Sequence, residues 1–351
     1  MSINFIEMLK RAINQRASDL HISTGNLPAI RVNGNIQFVS NEMLTDRDVD
    51  EIAQICLDDK TYKEFKRTGD VDSSITIKDC GRVRVNAFKQ MNGTSIVLRI
   101  INENIPQLKD LNIPESIAKV LELKEGLVLV TGPTGCGKST TLAAIINEMN
   151  KMRKSHIITI EEPIEYIQKS KNCVINQREI GNDCVSYARA LKAALREDPD
   201  IVLLGEMRDL ESISTALTAA ETGHLVLSTL HTVGAAKSVD RLVDVFPAEQ
   251  QKQIAYQLSL VLKAVISQRL LPRADGKGRV AAFEIMFVNS AISNLIRESR
   301  TANINQIIQT SMPEGMILLN KSIDELVKAG LVTPEVGNKY TNVNSVRYSI
   351  G

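Results

Sequence analysis

Residues 132–139 read Gly132-Pro133-Thr134-Gly135-Cys136-Gly137-Lys138-Ser139, and no other stretch constrains the fold of this chain as strongly. The apolar run Leu127-Val128-Leu129-Val130 precedes the octet. A helical pattern follows, with Leu142, Ile145, Ile146 and Met149 at i, i+3, i+4 and i+7. Strand, glycine-rich loop and helix in that order form a P-loop, whose glycines let successive backbone N–H groups turn toward one anion. The start of the helix adds the positive end of its dipole. Lys138 is spaced to reach the β- and γ-phosphates, and Ser139 to set its hydroxyl on Mg²⁺. The strand–helix context sets the stretch apart from a plain glycine-rich surface turn. It implies a nucleoside triphosphate site running from Gly132 to Thr140.

Around this loop, strand and helix patterns alternate, the signature of an α/β domain. Ile157–Ile160, Ile201–Leu204 and Leu225–Ser228 are short apolar runs, expected of strands buried on both faces of a parallel sheet. A helix from about Ser212 would bury Ile213, Ala216, Leu217 and Ala220 and stop at Gly223. From Ala248 onward the chain reads as mostly helical. Residues 1–101 read instead as a small α+β domain. It opens with a helix over about Phe5–Gln15, a strand around Leu20-His21-Ile22 and a hairpin turn at Asn33-Gly34. Thr45-Asp46-Arg47-Asp48 has the form of a capping box that starts a helix to about Leu57. Val71–Ile77, Arg82–Phe88 and Ser95–Ile101 read as strands, the last two joined at Asn92-Gly93. The polar residues 102–114, with two prolines, read as the linker, which leaves 115–351 to the nucleotide-binding domain.

Composition narrows the function classes. The 351 residues suffice for two cores, and 43% hydrophobic with 24% charged residues is ordinary for a globular protein. A formal net charge of +1, no tryptophan and 4% aromatics argue against direct nucleic-acid binding. The five cysteines contain no C-x-x-C pair, which argues against a disulfide framework or structural zinc and fits a reducing cytosol. Cys136 lies inside the phosphate loop, where nearby amides would lower its pKa, although its small size alone also suits the loop. No signal peptide and no uninterrupted apolar run of membrane-spanning length is present, so any membrane association is expected through a partner.

Hydrolysis of a nucleoside triphosphate needs a carboxylate beside the metal, a group that orients water and positive charge on the γ-phosphate. Asp198-Pro199-Asp200-Ile201-Val202-Leu203-Leu204-Gly205-Glu206 has the form of a Walker B element, with Glu206 delivered to the ligand side of the sheet to hold Mg²⁺. Ile160-Glu161-Glu162-Pro163-Ile164-Glu165 sets three carboxylates after a strand, any of which could align water. Spacing does not choose among Glu161, Glu162 and Glu165. His224 and His231 bracket one strand, and a histidine at its carboxyl end could hydrogen-bond a γ-phosphate. In the first domain, strand parity puts Val83, Val85 and Ala87 on one face and Arg82, Arg84 and Asn86 on the other, with Arg99 also pointing away from the core.

P-loop, acidic box, Gly-Glu Walker B and histidine box behind a small N-terminal domain resemble the secretion ATPase superfamily of type IV pili and type II secretion. Asp198-Pro199-Asp200 through Glu206-Met207-Arg208-Asp209, Ala219-Ala220-Glu221-Thr222-Gly223-His224 and Val245-Phe246-Pro247 carry the likeness, as does Ser18-Asp19-Leu20-His21. Within the superfamily the chain is similar to the pilus retraction motors. The resemblance implies an α/β fold with a RecA-like P-loop NTPase core and a smaller, PAS-like N-terminal α+β domain. It implies ATP as substrate with Mg²⁺, Glu165 as catalytic base, Glu206 as Walker B acid, and His231 and His224 as phosphate-touching groups. Arg84 and Arg99, with Arg82 behind them, are implied to swing onto ATP. A cytoplasmic homohexamer acting on an inner-membrane pilus platform protein is implied too.

Two positions depart from the family pattern. Glu162 stands where aspartate usually precedes the proline. Ser293 replaces an arginine in Ala291-Ile292-Ser293-Asn294-Leu295-Ile296-Arg297-Glu298, the segment that otherwise favours retraction over a pilus-assembly or type II secretion ATPase. A nucleic-acid translocase on the same core is the reading from another class.

Overall fold

The computed structural model describes residues 4–32, 34–101 and 105–341. Asn33 of the expected hairpin turn and residues 102–104 of the expected linker lie outside them. The chain divides into two compact units, Met1–Asn104 and Ile105–Gly351.

Among the described residues of the first unit the helices are α1 (Phe5–Asn14), α2 (Asp46–Cys56) and α3 (Asp59–Thr68). Its strands are β1 (Asp19–Ser23), β2 (Ala29–Val32), β3 (Asn35–Phe38), β4 (Asp70–Ile77), β5 (Gly81–Gln90) and β6 (Gly93–Ile100). They form one antiparallel sheet in the order β3-β2-β1-β6-β5-β4. Thr45 and Asp48 make the reciprocal capping box expected at the start of α2. Phe5, Leu9, Ile52 and Phe65 pack on Leu20, Ile22, Val83, Val85 and Leu98, so the helices cover one sheet face. Parity then leaves Arg82, Arg84 and Arg99 on the opposite face.

In the second unit a seven-stranded sheet runs β13-β12-β7-β11-β10-β8-β9. These strands are β7 (Gly126–Thr131), β8 (His156–Glu161), β9 (Val174–Glu179), β10 (Ile201–Leu204), β11 (Leu225–Leu230), β12 (Leu262–Pro272) and β13 (Arg279–Phe287). All neighbours are parallel except the β12–β13 pair. The helices are α4 (Ala118–Glu122), α5 (Lys138–Met152), α6 (Tyr187–Ala194), α7 (Leu210–Glu221), α8 (Ala235–Asp244) and α9 (Ala248–Val261). Beyond β13 come α10 (Ser290–Arg297), α11 (Ile304–Thr310), α12 (Leu319–Lys328) and α13 (Pro334–Thr341).

Alternation along β7 divides the core into two layers. Val128 and Val130 face Leu142, Ile145 and Met149 of α5, whereas Leu127 and Leu129 join Ile213, Ala216 and Leu217 of α7 on the other side. Helices on both faces of a mostly parallel sheet leave the carboxyl strand ends as the open edge where loops can gather a ligand. The fold is thus the expected α/β class, a RecA-like core with a smaller α+β unit at the N-terminal side.

The stretch beyond Ala248, read as mostly helical, also carries β12 and β13. Both strands are largely buried on both faces, and polar Ser267, Gln268 and Glu284 are buried with their apolar neighbours, so neither segment shows the period-2 alternation that separates strand from helix. β9 and α3 were not anticipated either; both are largely polar.

Candidate active site

The loop after β7 enters α5 through Gly137, and Lys138 opens the helix. Gly132 has φ +144°, and a Cβ there would lie 2.4 Å from the Gln268 carbonyl oxygen, so only glycine lets the loop lie against β12. Gln268, itself buried, donates to the Cys136 carbonyl at 2.6 Å and accepts from the Thr141 hydroxyl at 2.8 Å. It braces the loop from a strand that sequence reading had missed. The Lys138 ammonium donates to the Gly132 carbonyl at 2.9 Å, and burial lowers its pKa. Cys136 is also buried, and burial raises its thiol pKa. The cost of enclosing a thiolate therefore outweighs the downward pull of Lys138 and the loop amides.

Three further loops converge at the same edge. Glu206, just past β10, places Oε2 2.8 Å from Arg208 Nε and Oε1 3.1 Å from His231 Nε2. His231, just past β11, has its Nδ1 3.3 Å from Thr134 Oγ1 in the phosphate loop. The acidic box follows β8. Glu161 Oε1 accepts from the Thr159 hydroxyl at 2.7 Å and from the Gln177 amide at 3.2 Å. Enclosure of this carboxylate pushes its pKa up to about 7. Glu165 is exposed and lines the same cleft, together with Lys138, Ser139, Thr140, Glu206 and His231. The cleft has a volume of about 490 Å³.

Several contributors carried no sequence assignment. Arg279 on β13 lines the cleft and donates to the Gly135 carbonyl at 3.5 Å. Tyr166 pairs its hydroxyl with Thr140 at 2.9 Å, and Glu179 accepts the Ile164 N–H at 3.0 Å, beside Glu165. Only Arg208 had a legible signal, two residues past Glu206 in a motif already quoted.

His224 lies elsewhere. It precedes β11 at the amino end of the strand, with Nδ1 3.1 Å from the Ala219 carbonyl and 3.2 Å from Thr222 Oγ1. At about 3.3 Å per residue, it is roughly 20 Å from His231 along the strand. A phosphate contact by His224 within its own chain is therefore ruled out; it serves the end of α7. In the first unit Arg84 and Arg99 are Cα partners across β5 and β6. Arg99 Nε is 3.0 Å from Asp19 Oδ1, Arg84 Nε 3.5 Å from Asp72 Oδ1, and Arg82 donates to Ser74 Oγ at 2.7 Å.

Residues 2–338 match the family described as Type II/IV secretion system protein. The chain belongs to this family. It is 46% identical to the type IV pilus retractation ATPase PilT of Pseudomonas aeruginosa, over 95% of this chain and 96% of that protein. The twitching motility protein of Neisseria gonorrhoeae is 47% identical, over 89% of this chain and 83% of that protein. A crystal structure of the pilus retraction motor PilT with bound ADP superposes with a TM-score of 0.90 at 44% identity, covering 96% of each chain. Membership in the family therefore extends across both units rather than resting on the nucleotide loop alone.

Proposed function

We propose that the chain is an ATP-hydrolysing motor that powers retraction of type IV pili, working as a homohexameric ring. The observation that carries the reading is the link from Thr134 through His231 to Glu206, which joins phosphate loop, histidine box and Walker B acid in one cleft. Similarity to retraction motors over nearly the whole chain supplies the direction of work.

Lys138 and the loop amides bind the phosphates, Glu165 orients and deprotonates water, and His231 contacts the γ-phosphate. Arg84 and Arg99 supply positive charge from the first unit. Ser139 and Glu206 offer hard oxygen donors in the same cleft, a set that suits Mg²⁺. Among the described residues no group of three or more His, Cys, Asp or Glu could hold a metal by itself. Mg²⁺ is thus expected to arrive with the nucleotide's phosphates, and when bound it neutralises charge that develops on them.

No helix among the described residues is long and apolar enough to cross a membrane. A place at the cytoplasmic face of the inner membrane, held by a platform protein, follows from the proposed role. No direct nucleic-acid contact is proposed.

Ser293 favours a second reading, an assembly or type II secretion ATPase, because it replaces a charge typical of the retraction segment. Counting surface pili by electron microscopy in a strain lacking the gene separates the two. Retraction predicts excess pili that no longer shorten. Bald cells would assign the chain to assembly.

A further inference from the structure

Glu284 is a buried carboxylate to which none of the motifs above gives a role. It sits within β13 at 7% exposure. Its Oε1 accepts the Ala235 N–H at 2.7 Å and its Oε2 the Leu319 N–H at 3.4 Å. Ala235 and Leu319 are the first residues of α8 and α12. One side chain therefore meets two helix N-termini, where backbone donors lack intrahelical partners and the dipoles favour negative charge. Burial raises the carboxyl pKa, and both amides pull it back down.

The neighbouring strand completes the clamp. Ser267 on β12 is the Cα partner of Glu284, and its hydroxyl accepts the Gly234 N–H at 2.9 Å. Two successive amides, of Gly234 and Ala235, are thus held from the β12–β13 pair. Gly234 has φ +96° and ψ 146°, a conformation open to glycine and strained for other residues. The held amides begin three residues after His231. Within the same turn Ser238 Oγ lies 2.7 Å from Thr232 Oγ1 and 3.4 Å from Thr131 Oγ1, the residue preceding Gly132. The first turn of α8 consequently touches both the histidine loop and the root of the phosphate loop.

We propose that Glu284 is the positioning residue that fixes His231 for its γ-phosphate contact, by clamping the start of α8 and joining it to α12. The inference rests on the proposed phosphate role of His231. A purely space-filling residue would leave the Ala235 and Leu319 donors buried without their acceptor, which is why a carboxylate occupies the position. Because α12 shares the clamp, a displacement of the histidine loop is felt at the C-terminal helices.

The test is the ratio of affinities for a non-hydrolysable ATP analogue and for ADP, both with Mg²⁺, in full-length protein. Wild type, His231→Ala, Glu284→Gln and Ser267→Ala are compared, with circular dichroism as the check on folding. His231→Ala is expected to lower the preference for the triphosphate. Glu284→Gln, which can satisfy only one of the two amides, should lower that preference at least ~5-fold, the lower range for coupling between sites, with ADP affinity little changed. Ser267→Ala should act in the same direction and more weakly. If His231→Ala loses the preference while folded Glu284→Gln keeps it, the clamp is refuted and the role of His231 stands. If His231→Ala keeps it, the phosphate role and the clamp fall together. Should Glu284→Gln not fold, Ser267→Ala decides alone: an unchanged ratio refutes the clamp.

Discussion

His231 Nε2 lies 3.1 Å from Glu206 Oε1, while the other ring nitrogen is 3.3 Å from Thr134 Oγ1. With the proton on Nε2, the neutral ring donates to the carboxylate and accepts from the threonine hydroxyl, so both nitrogens are satisfied. The ring thus joins the residue that would hold the metal to the loop that would hold the phosphates. A phosphate held at Thr134, as proposed, would meet the same imidazole that contacts Glu206.

Glu206 has a cation or ring partner on each oxygen, Arg208 on one and His231 on the other. Glu206→Gln keeps the size and removes the charge that would attract Mg²⁺. ATP binding should survive, and Mg²⁺-dependent turnover should drop ~10²-fold or more, since metal-borne charge stabilisation is worth several kcal/mol. Steady-state phosphate release alongside a fluorescent-nucleotide titration checks both halves. Unimpaired turnover would remove Glu206 from the metal site.

The acidic box distinguishes its carboxylates by environment. Glu161 is enclosed by Thr159 and Gln177, whereas Glu165 is exposed and lines the cleft. Glu165→Gln is expected to bind ATP normally and to lose ~10²–10⁴-fold in kcat, the usual cost of removing a positioned general base. Wild-type turnover by this variant would transfer the role to Glu162 or elsewhere.

Much of this arrangement was legible because the chemistry is local in sequence. The stretch from Leu127 to Met149 encodes strand, loop and helix, and its apolar positions are the ones that became buried. Glu206 and His231 follow short strands that open on apolar runs and are buried throughout, so their place at the carboxyl edge followed from topology. What was not legible arrives across the fold. Gln268 and Arg279 reach the loop from β12 and β13, and Gln177 and Glu179 reach the acidic box from β9. Nothing near those residues in sequence marks them, because their partners are set by strand order alone. The displacement of His224 has a similar cause: a motif read as one box spans a whole strand, and its two histidines end on opposite edges of the sheet.

Arg99 is exposed over most of its side chain, and its partner Asp19 is nearly buried. Asp19 retains the Ser18 hydroxyl at 2.7 Å and Arg31 at 3.9 Å when Arg99 is removed. Arg99→Ala should therefore cost little stability, because exposed ion pairs contribute about 0–1 kcal/mol. If Arg99 meets ATP as proposed, kcat should fall ~10³-fold, the lower range for an arginine finger. Thermal melts and turnover measured on the same preparation separate the effects. A kcat within a few-fold of wild type would leave Arg99 a surface residue.

Glu161 gives the site a pH signature in stability. Its pKa rises from 4.5 to about 7 on folding, chiefly through burial, with nearby Glu165 adding to the rise. Between these values the folded state holds a proton that the unfolded state has released. Stability from this group is therefore complete below about pH 4.5, falls as pH rises through 7, and is constant above. Glu161→Gln keeps an oxygen acceptor for Thr159 and Gln177 and abolishes the titration. The variant should melt close to wild type at pH 5 and clearly above it at pH 8. A melting-temperature difference that stays constant from pH 5 to pH 8 would show that Glu161 ionises as freely in the folded protein as in the unfolded chain.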